Sequence, residues 1–222
     1  GYPGLYRQVP LPTAEAGATA MSRIESESKR MGQLVEDLLT LARIDERRES
    51  KLAPFDLFNR AVDASNDAYA TAPDRAVSLV GLNEEVAPTS ATVLGDESRM
   101  RQVVANLLTN ARRYTPDGSP LEIAVGVREE VPGFPLSVLE VRDHGPGIHG
   151  EDRERVFERF YRTDTSRSRE TGGTGLGLSI VAAIIEQHEG KIHIEETDGG
   201  GATFVISLPF YPPPVSDDQL MK

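Results

Sequence analysis

Apolar residues recur at intervals of three and four from Met21 to Ile44, through Ile24, Met31, Leu34, Val35, Leu38, Leu39, Leu41 and Ala42. That spacing predicts one amphipathic helix, opening near Thr13 and closed by the charged run 45–49. A helix of roughly 30 residues is about 45 Å long. So long a one-sided stripe needs a cover, and a bundle or dimer contact is favoured over packing on the next part of the chain. Beyond residue 50 the pattern shortens. Strands are expected at 55–57, 77–82, 91–94, 121–127 and 136–141, with the segment 132–135 turning between the last two. Helices are expected at 57–72, 98–114 and 175–187. Strands 191–195 and 202–208 form a hairpin around Asp198-Gly199-Gly200-Gly201. Residues 1–11 read as loop, and the Pro-rich, acidic stretch from 209 as a loose tail. Strands and helices mixed in this way predict an α/β fold, a two-layer sandwich of a mixed sheet and helices preceded by one long helix.

Composition narrows the function classes. With 24 Lys and Arg against 35 Asp and Glu, the net charge of −11 disfavours nucleic acid and anionic membrane surfaces as partners. The absence of Cys removes disulfides, thiol catalysis and thiolate metal sites. The longest apolar run, 180–185, is far too short to span a bilayer. A start at Gly1 without Met is expected of a piece cut from a longer protein, any membrane-bound part lying outside it.

Four segments could carry chemistry. Asn106 and Asn110 are four apart and share one helix face, and a neutral amide oxygen suits Mg²⁺. Asp143, at a strand end in Asp143-His144-Gly145-Pro146-Gly147-Ile148, could accept a hydrogen bond from an adenine amino group. Gly172-Gly173-Thr174-Gly175-Leu176-Gly177-Leu178 opens a helix and offers free backbone N–H groups to phosphate. The third glycine segment, Asp198 to Gly201, runs into Ala202-Thr203. Arg113 and Arg162 could neutralise phosphate charge. Each has a bland reading alone: an Asn pair as a surface feature, D-x-G-x-G as a turn, G-x-G as a helix start. The order of the segments along one chain is what gives them weight. GxxxxGK[ST], a complete GxGxxG and the HRD/DFG set are all missing.

That order resembles the ATP-binding catalytic domain of bacterial sensor histidine kinases, within the gyrase, chaperone, kinase and mismatch-repair ATPase superfamily. The matching segments are Asn106 to Tyr114, Asp143 to Gly147, Phe157-Glu158-Arg159-Phe160 and Gly175-Leu176-Gly177. The likeness covers about residues 51–210. Residues 1–48 resemble part of the dimerisation and phosphotransfer region, its second hairpin helix, and 211–222 is expected to be a flexible tail. The resemblance implies ATP and Mg²⁺ as cofactors. Asn110 would ligate the metal with Asn106 assisting, Arg113 would meet phosphate, and Tyr114 would border the nucleotide. Asp143 would read the adenine amino group in a pocket shaped by Gly145, Gly147 and Ile148. Residues 149–173 would form a lid hinged on Phe157, Phe160 and Tyr161, with Arg162 reaching the γ-phosphate. Gly173, Gly175 and Gly177 would close over the phosphates with Thr174, Leu176 and Leu178 between and beside them, and Thr203 would support the adenine end.

The implied reaction is phosphoryl transfer from ATP to a histidine and onward to a response-regulator aspartate. In the superfamily's hydrolases a Glu four residues before the metal-binding Asn activates water. Asn106 stands there and cannot act as a base, which predicts a kinase rather than an ATPase. None of the four histidines, His144, His149, His188 and His193, lies in the acceptor motif H-[ED]-x-[RK]-[TS]-P. The stretch Gly1 to Arg7 resembles the segment C-terminal to that motif on the first hairpin helix, so the acceptor is expected just upstream. The resemblance further implies a homodimer in the full-length protein and the cytoplasmic portion of a sensor in the inner or plasma membrane. It implies no nucleic-acid partner, and membrane attachment only through upstream segments. A nucleotide-binding module without turnover is the alternative, and a serine kinase of the anti-sigma type a weaker one that would lack the long helix.

Overall fold

The computed structural model describes residues 14–45, 52–71, 74–75, 77–83, 86–163 and 173–212. The expected helix start at Thr13, the closing run 46–49, most of the tail and the lid residues 164–172 lie outside them.

Helix α1 (Ala14–Asp45) runs unbroken through the whole apolar stripe. Among the described residues, those that cover it lie against its C-terminal part. Leu41 and Ile44 are buried with Leu34 beside them, whereas Met21, Ile24, Met31, Val35, Leu38 and Leu39 are exposed. The last turns of the helix are therefore packed on the rest of the chain, the less favoured of the two expected covers. Among the described residues no helix is long and apolar enough to cross a membrane.

The remainder folds as β1 (Ala53–Asp56), α2 (Leu57–Thr71), β2 (Val77–Val80), β3 (Thr92–Gly95), α3 (Glu97–Tyr114), β4 (Leu121–Val131) and β5 (Phe134–Asp143). Short α4 (Asp152–Arg155), α5 (Gly177–Gln187), β6 (Lys191–Glu196) and β7 (Ala202–Pro209) complete it. The main sheet has the order β2-β4-β5-β7-β6, with β2 parallel to β4 and the other neighbours antiparallel. Strands β1 and β3 pair separately as a two-stranded antiparallel ribbon. Helices α2, α3 and α5 form the second layer, as expected of a mixed-sheet sandwich. Between the layers lie Leu57, Met100, Leu107, Leu121, Ile123, Leu139, Ile180, Ile184, Phe204 and Ile206, all fully buried. Burial of each such side chain favours folding by about 1.5–3 kcal/mol over exposure.

Strands β4 and β5 outrun their expected limits. Residues 128–130 are Arg-Glu-Glu and show no apolar alternation, yet the strand runs through them, with a register shift at Glu130, to a two-residue turn at Pro132-Gly133. Backbone pairing carries the hairpin past the core into solvent, and Phe134 at its tip is exposed. On β5, buried Glu140 accepts from Arg128 Nη2 at 2.8 Å and from Arg142 Nη2 at 2.7 Å, so its charge is paired on two sides.

Asp96 caps α3. Its Oδ1 accepts from Ser98 N at 3.0 Å and Arg99 N at 3.2 Å. Burial would raise this carboxyl, but hydrogen bonds from Ser98 and the Arg99 N–H outweigh it and hold the pKa below the ordinary value. The Asp96 N–H is taken by His188 Nε2 at 2.9 Å, and His188 Nδ1 donates to Ile184 O at 2.7 Å. One buried histidine thus ties the start of α3 to the end of α5.

Candidate functional site

A cavity of about 920 Å³ opens between α3, the loop after β5, the α4 segment, the start of α5 and, on its far side, α1. At one end, Asp143 closes β5. Its Oδ1 accepts from Gly145 N at 2.9 Å and from Ala202 N at 3.2 Å, which leaves Oδ2 for a ligand donor. Burial pushes this carboxyl above its ordinary value, against the pull of the Gly145 and Ala202 N–H groups and the charges of His144 and Arg75. Gly201 makes the arrangement possible. It has φ +126°, and a Cβ on it would sit 1.9 Å from Asp143 O. Gly147 and Ile148 line the cavity beside Asp143. Gly145 lies behind it, where a Cβ would press on Thr115. Thr203 is buried, with its hydroxyl 2.9 Å from that of Thr197, one residue past the lining Ala202.

Helix α3 supplies the floor. Its apolar side, Val103, Val104, Leu107 and Ala111, is buried, which turns Asn106, Asn110, Arg113 and Tyr114 to the cavity. Asn106 Nδ2 donates to Gly177 O at 3.3 Å, so its amide oxygen is the atom left for other work. Among the described residues no group of three His, Asp or Glu could hold a metal ion. A cation here would rest on amide oxygens and on whatever anionic oxygens accompany it. That donor set fits Mg²⁺, a hard ion that takes oxygen ligands and keeps several waters.

The opposite end is formed by Gly173, Thr174, Gly175, Gly177 and Leu178, with buried Leu176 anchoring the segment in the core. Gly175 has φ +75° and passes so close to Phe160 that a Cβ would lie 3.1 Å from its Cα. Phe160 N donates back to Gly175 O at 3.0 Å. Tyr161 and Arg162 also line the cavity. Tyr161 OH donates to Asp152, and the Arg155 guanidinium lies 4.4 Å from the Tyr161 ring centre. Within the described part of the expected lid, 149–163, residues 160 and 161 are thus tied down.

The expected site residues are brought to one cavity, with Gly145, Leu176 and Thr203 supporting it from behind. Two contributions have no signal in the sequence pattern. The first is α1, whose Ser26, Glu27, Lys29, Arg30, Gln33 and Asp37 form a cavity wall. Their polarity reads as the solvated back of an apolar stripe. The second is Arg75, buried and without any motif. It donates to Arg112 O at 3.0 Å, Ser119 O at 3.1 Å, Thr115 Oγ1 and Pro116 O, gathering the end of α3 against the Asp143 loop. All four histidines have local acceptors or donors instead: His144 with Glu122, His149 with Pro146 O, His193 with Glu195, and His188 as described.

Known proteins are similar to this chain in sequence and fold. Residues 95–212, just over half of the chain, match the family described as histidine kinase-, DNA gyrase B-, and HSP90-like ATPase. A probable sensor histidine kinase of Mycobacterium tuberculosis, TcrY, is 43% identical over 195 residues, which cover 88% of this chain and 39% of that protein. The solved histidine kinase AdeS of Acinetobacter baumannii is similar with a TM-score of 0.61 and 27% identity, over 92% of this chain and 89% of that one. Full-length ShkA, solved in complex with AMPPNP, gives a TM-score of 0.69 at 27% identity over 91% of this chain and 40% of that one. The chain spans less than half the length of the curated relatives it matches. With the family match taking in every cavity residue from Asn106 to Ala202, the chain belongs to the histidine kinase-, DNA gyrase B- and HSP90-like ATPase family and carries the ATP-binding domain of a sensor histidine kinase.

Proposed function

We propose that this chain is the kinase part of a two-component sensor, moving the γ-phosphoryl group of ATP to a histidine that is none of its own four and from there to a response-regulator aspartate. The observation that carries the reading is Asp143, buried at the head of the cavity with Oδ1 held by two N–H groups and Oδ2 left for a donor such as the adenine amino group. Asn110, with the Asn106 oxygen, would hold Mg²⁺, which when bound supplies charge to the phosphates. Arg113, Arg162 and the N–H groups opening α5 offset the phosphate charge. In the transfer, the bond from the γ-phosphorus to the leaving β-phosphate oxygen breaks as one forms to the unprotonated nitrogen of a neutral imidazole, and the proton on the other ring nitrogen departs. Asn106 keeps no basic lone pair for water, which favours transfer over hydrolysis. On this reading residues 1–48 are part of the dimerisation and phosphotransfer region, 51–210 the catalytic domain and 211–222 a tail. The whole protein works as a homodimer, with a response regulator as partner, on the cytoplasmic side of a membrane.

The test supplies ATP and Mg²⁺ to the chain and follows bound nucleotide and released phosphate together. Binding without sustained release, weakened at least tenfold by Asn110→Ala, is expected; a tenfold loss corresponds to about 1.4 kcal/mol. Sustained release that Asn110→Ala abolishes would move the reading to an ATPase, and unchanged binding in that variant would remove Asn110 as the metal ligand.

A further inference from the structure

Thr174 stands at the phosphate end of the cavity, yet its hydroxyl is engaged from outside the catalytic domain. Its Oγ1 lies 2.6 Å from Asp37 Oδ2 on α1. The same oxygen accepts from Leu176 N at 3.3 Å. Asp37 is only 8% exposed, and its Oδ1 accepts from Gln33 Nε2 at 2.9 Å. A carboxylate can only accept, so Thr174 is the donor and its single O–H is committed to α1. At 100° per residue, Ser26, Arg30, Gln33 and Asp37 fall on one strip of α1, opposite the exposed Ile24, Met31 and Val35. The polar strip, not the apolar one, meets the cavity.

We propose that Asp37 and a nucleotide phosphate compete for the Thr174 hydroxyl, so that α1 is latched to the glycine segment while that end of the cavity holds no phosphate. The proposal rests on the nucleotide-binding reading above. One O–H serves one acceptor well, and a phosphate arriving beside Asp37 meets a second negative charge in a partly dry site. The coupling is reciprocal: whatever affinity the latch takes from the nucleotide, the nucleotide takes from the latch. Nucleotide occupancy is thereby reported to α1 through one side chain.

The experiment uses the whole chain and the non-hydrolysable ATP analogue AMPPNP with Mg²⁺. Calorimetry compares the parent with Asp37→Ala, Thr174→Val and the double variant, each checked for helix content by circular dichroism. Asp37→Ala is expected to bind the analogue roughly fivefold tighter or more, an effect that disappears in the Thr174→Val background. Hydrogen exchange at α1 amides 33–44 is expected to speed up on adding the analogue to the parent and to stay constant in Thr174→Val. Unchanged or weaker binding by Asp37→Ala overturns the latch and leaves the nucleotide site standing. Failure of the parent to bind overturns the site and the latch together. If Asp37→Ala loses helix, Asp37→Asn keeps an acceptor but removes the charge, and must still tighten binding for the latch to survive.

Discussion

The two ends of the cavity are built differently although both are glycine loops. At the Asp143 end the loop is held by backbone. Two N–H groups fix the carboxylate, and Gly201 lies against the Asp143 carbonyl with no room for a methyl group. At the Gly175 end the segment is held by a backbone bond from Phe160 and by buried Leu176, and otherwise by side chains from other elements, the Thr174 hydroxyl reaching to Asp37 on α1 and Asn106 Nδ2 reaching to Gly177 O. The difference teaches a division of labour. A base is recognised by a fixed hydrogen-bond pattern and gains from rigidity, whereas a triphosphate must enter, react and leave, which is served by a segment tied through exchangeable side-chain bonds.

The sharpest way to break the contrast is to add one methyl group to each end. Gly201→Ala places a Cβ on the Asp143 carbonyl and a side chain at φ +126°, so it should lower folding stability by about 3 kcal/mol or more. Urea denaturation reads this directly, and a loss below about 1 kcal/mol would show the Asp143 end to be as yielding as the other. Next comes Asp143→Asn, which keeps shape and removes charge. It should weaken adenine-nucleotide binding by about 1.5–3 kcal/mol while the chain still folds. Titration calorimetry with ATP against GTP checks it, and equal losses for both would show that Asp143 does not read the base. Gly175→Ala meets the Phe160 backbone at a bearable 3.1 Å and positive φ, so about 1–2 kcal/mol of stability is expected to go. The smallest effect is one of order along a pH series. Asp143 titrates above the ordinary 3.8, so nucleotide affinity should fall as pH drops through that raised value. Asp96 titrates below 3.8, and the stability its cap lends is present above that value and lost only as pH falls through the lowered one. Binding should therefore fail before helicity does, and simultaneous loss would contradict the assignment of the two carboxyls.

Much of this is legible in the sequence because it rests on short-range chemistry. The α3 stripe Met100, Val103, Val104, Leu107, Leu108 and Ala111 gives both the helix and, by exclusion, the face carrying Asn106 and Asn110. The order of the glycine segments locates the loops. Hidden are the parts that depend on which elements meet. Arg75 has no neighbours in sequence that mark it, since its acceptors lie at residues 112–119. Asp37 sits in a helix whose polar residues look solvated until Thr174, far along the chain, is placed against it. The strand residues 128–131 escape the hydrophobic pattern because pairing with β5, not burial, extends them.

The two hairpins of the main sheet differ in how they would receive foreign sequence. At Pro132-Gly133 no described residue apart from the chain neighbours lies within 4 Å of where a Gly133 side chain would start, and the tip stands clear of the core. Loop entropy grows only slowly with length, so a peptide tag or a reporter domain inserted there should leave the fold intact. The turn from Asp198 to Gly201 offers no such port. Its last glycine is wedged against the end of β5, and lengthening it would withdraw the Ala202 N–H from Asp143. For an engineer, one loop is a socket and the other is part of the lock.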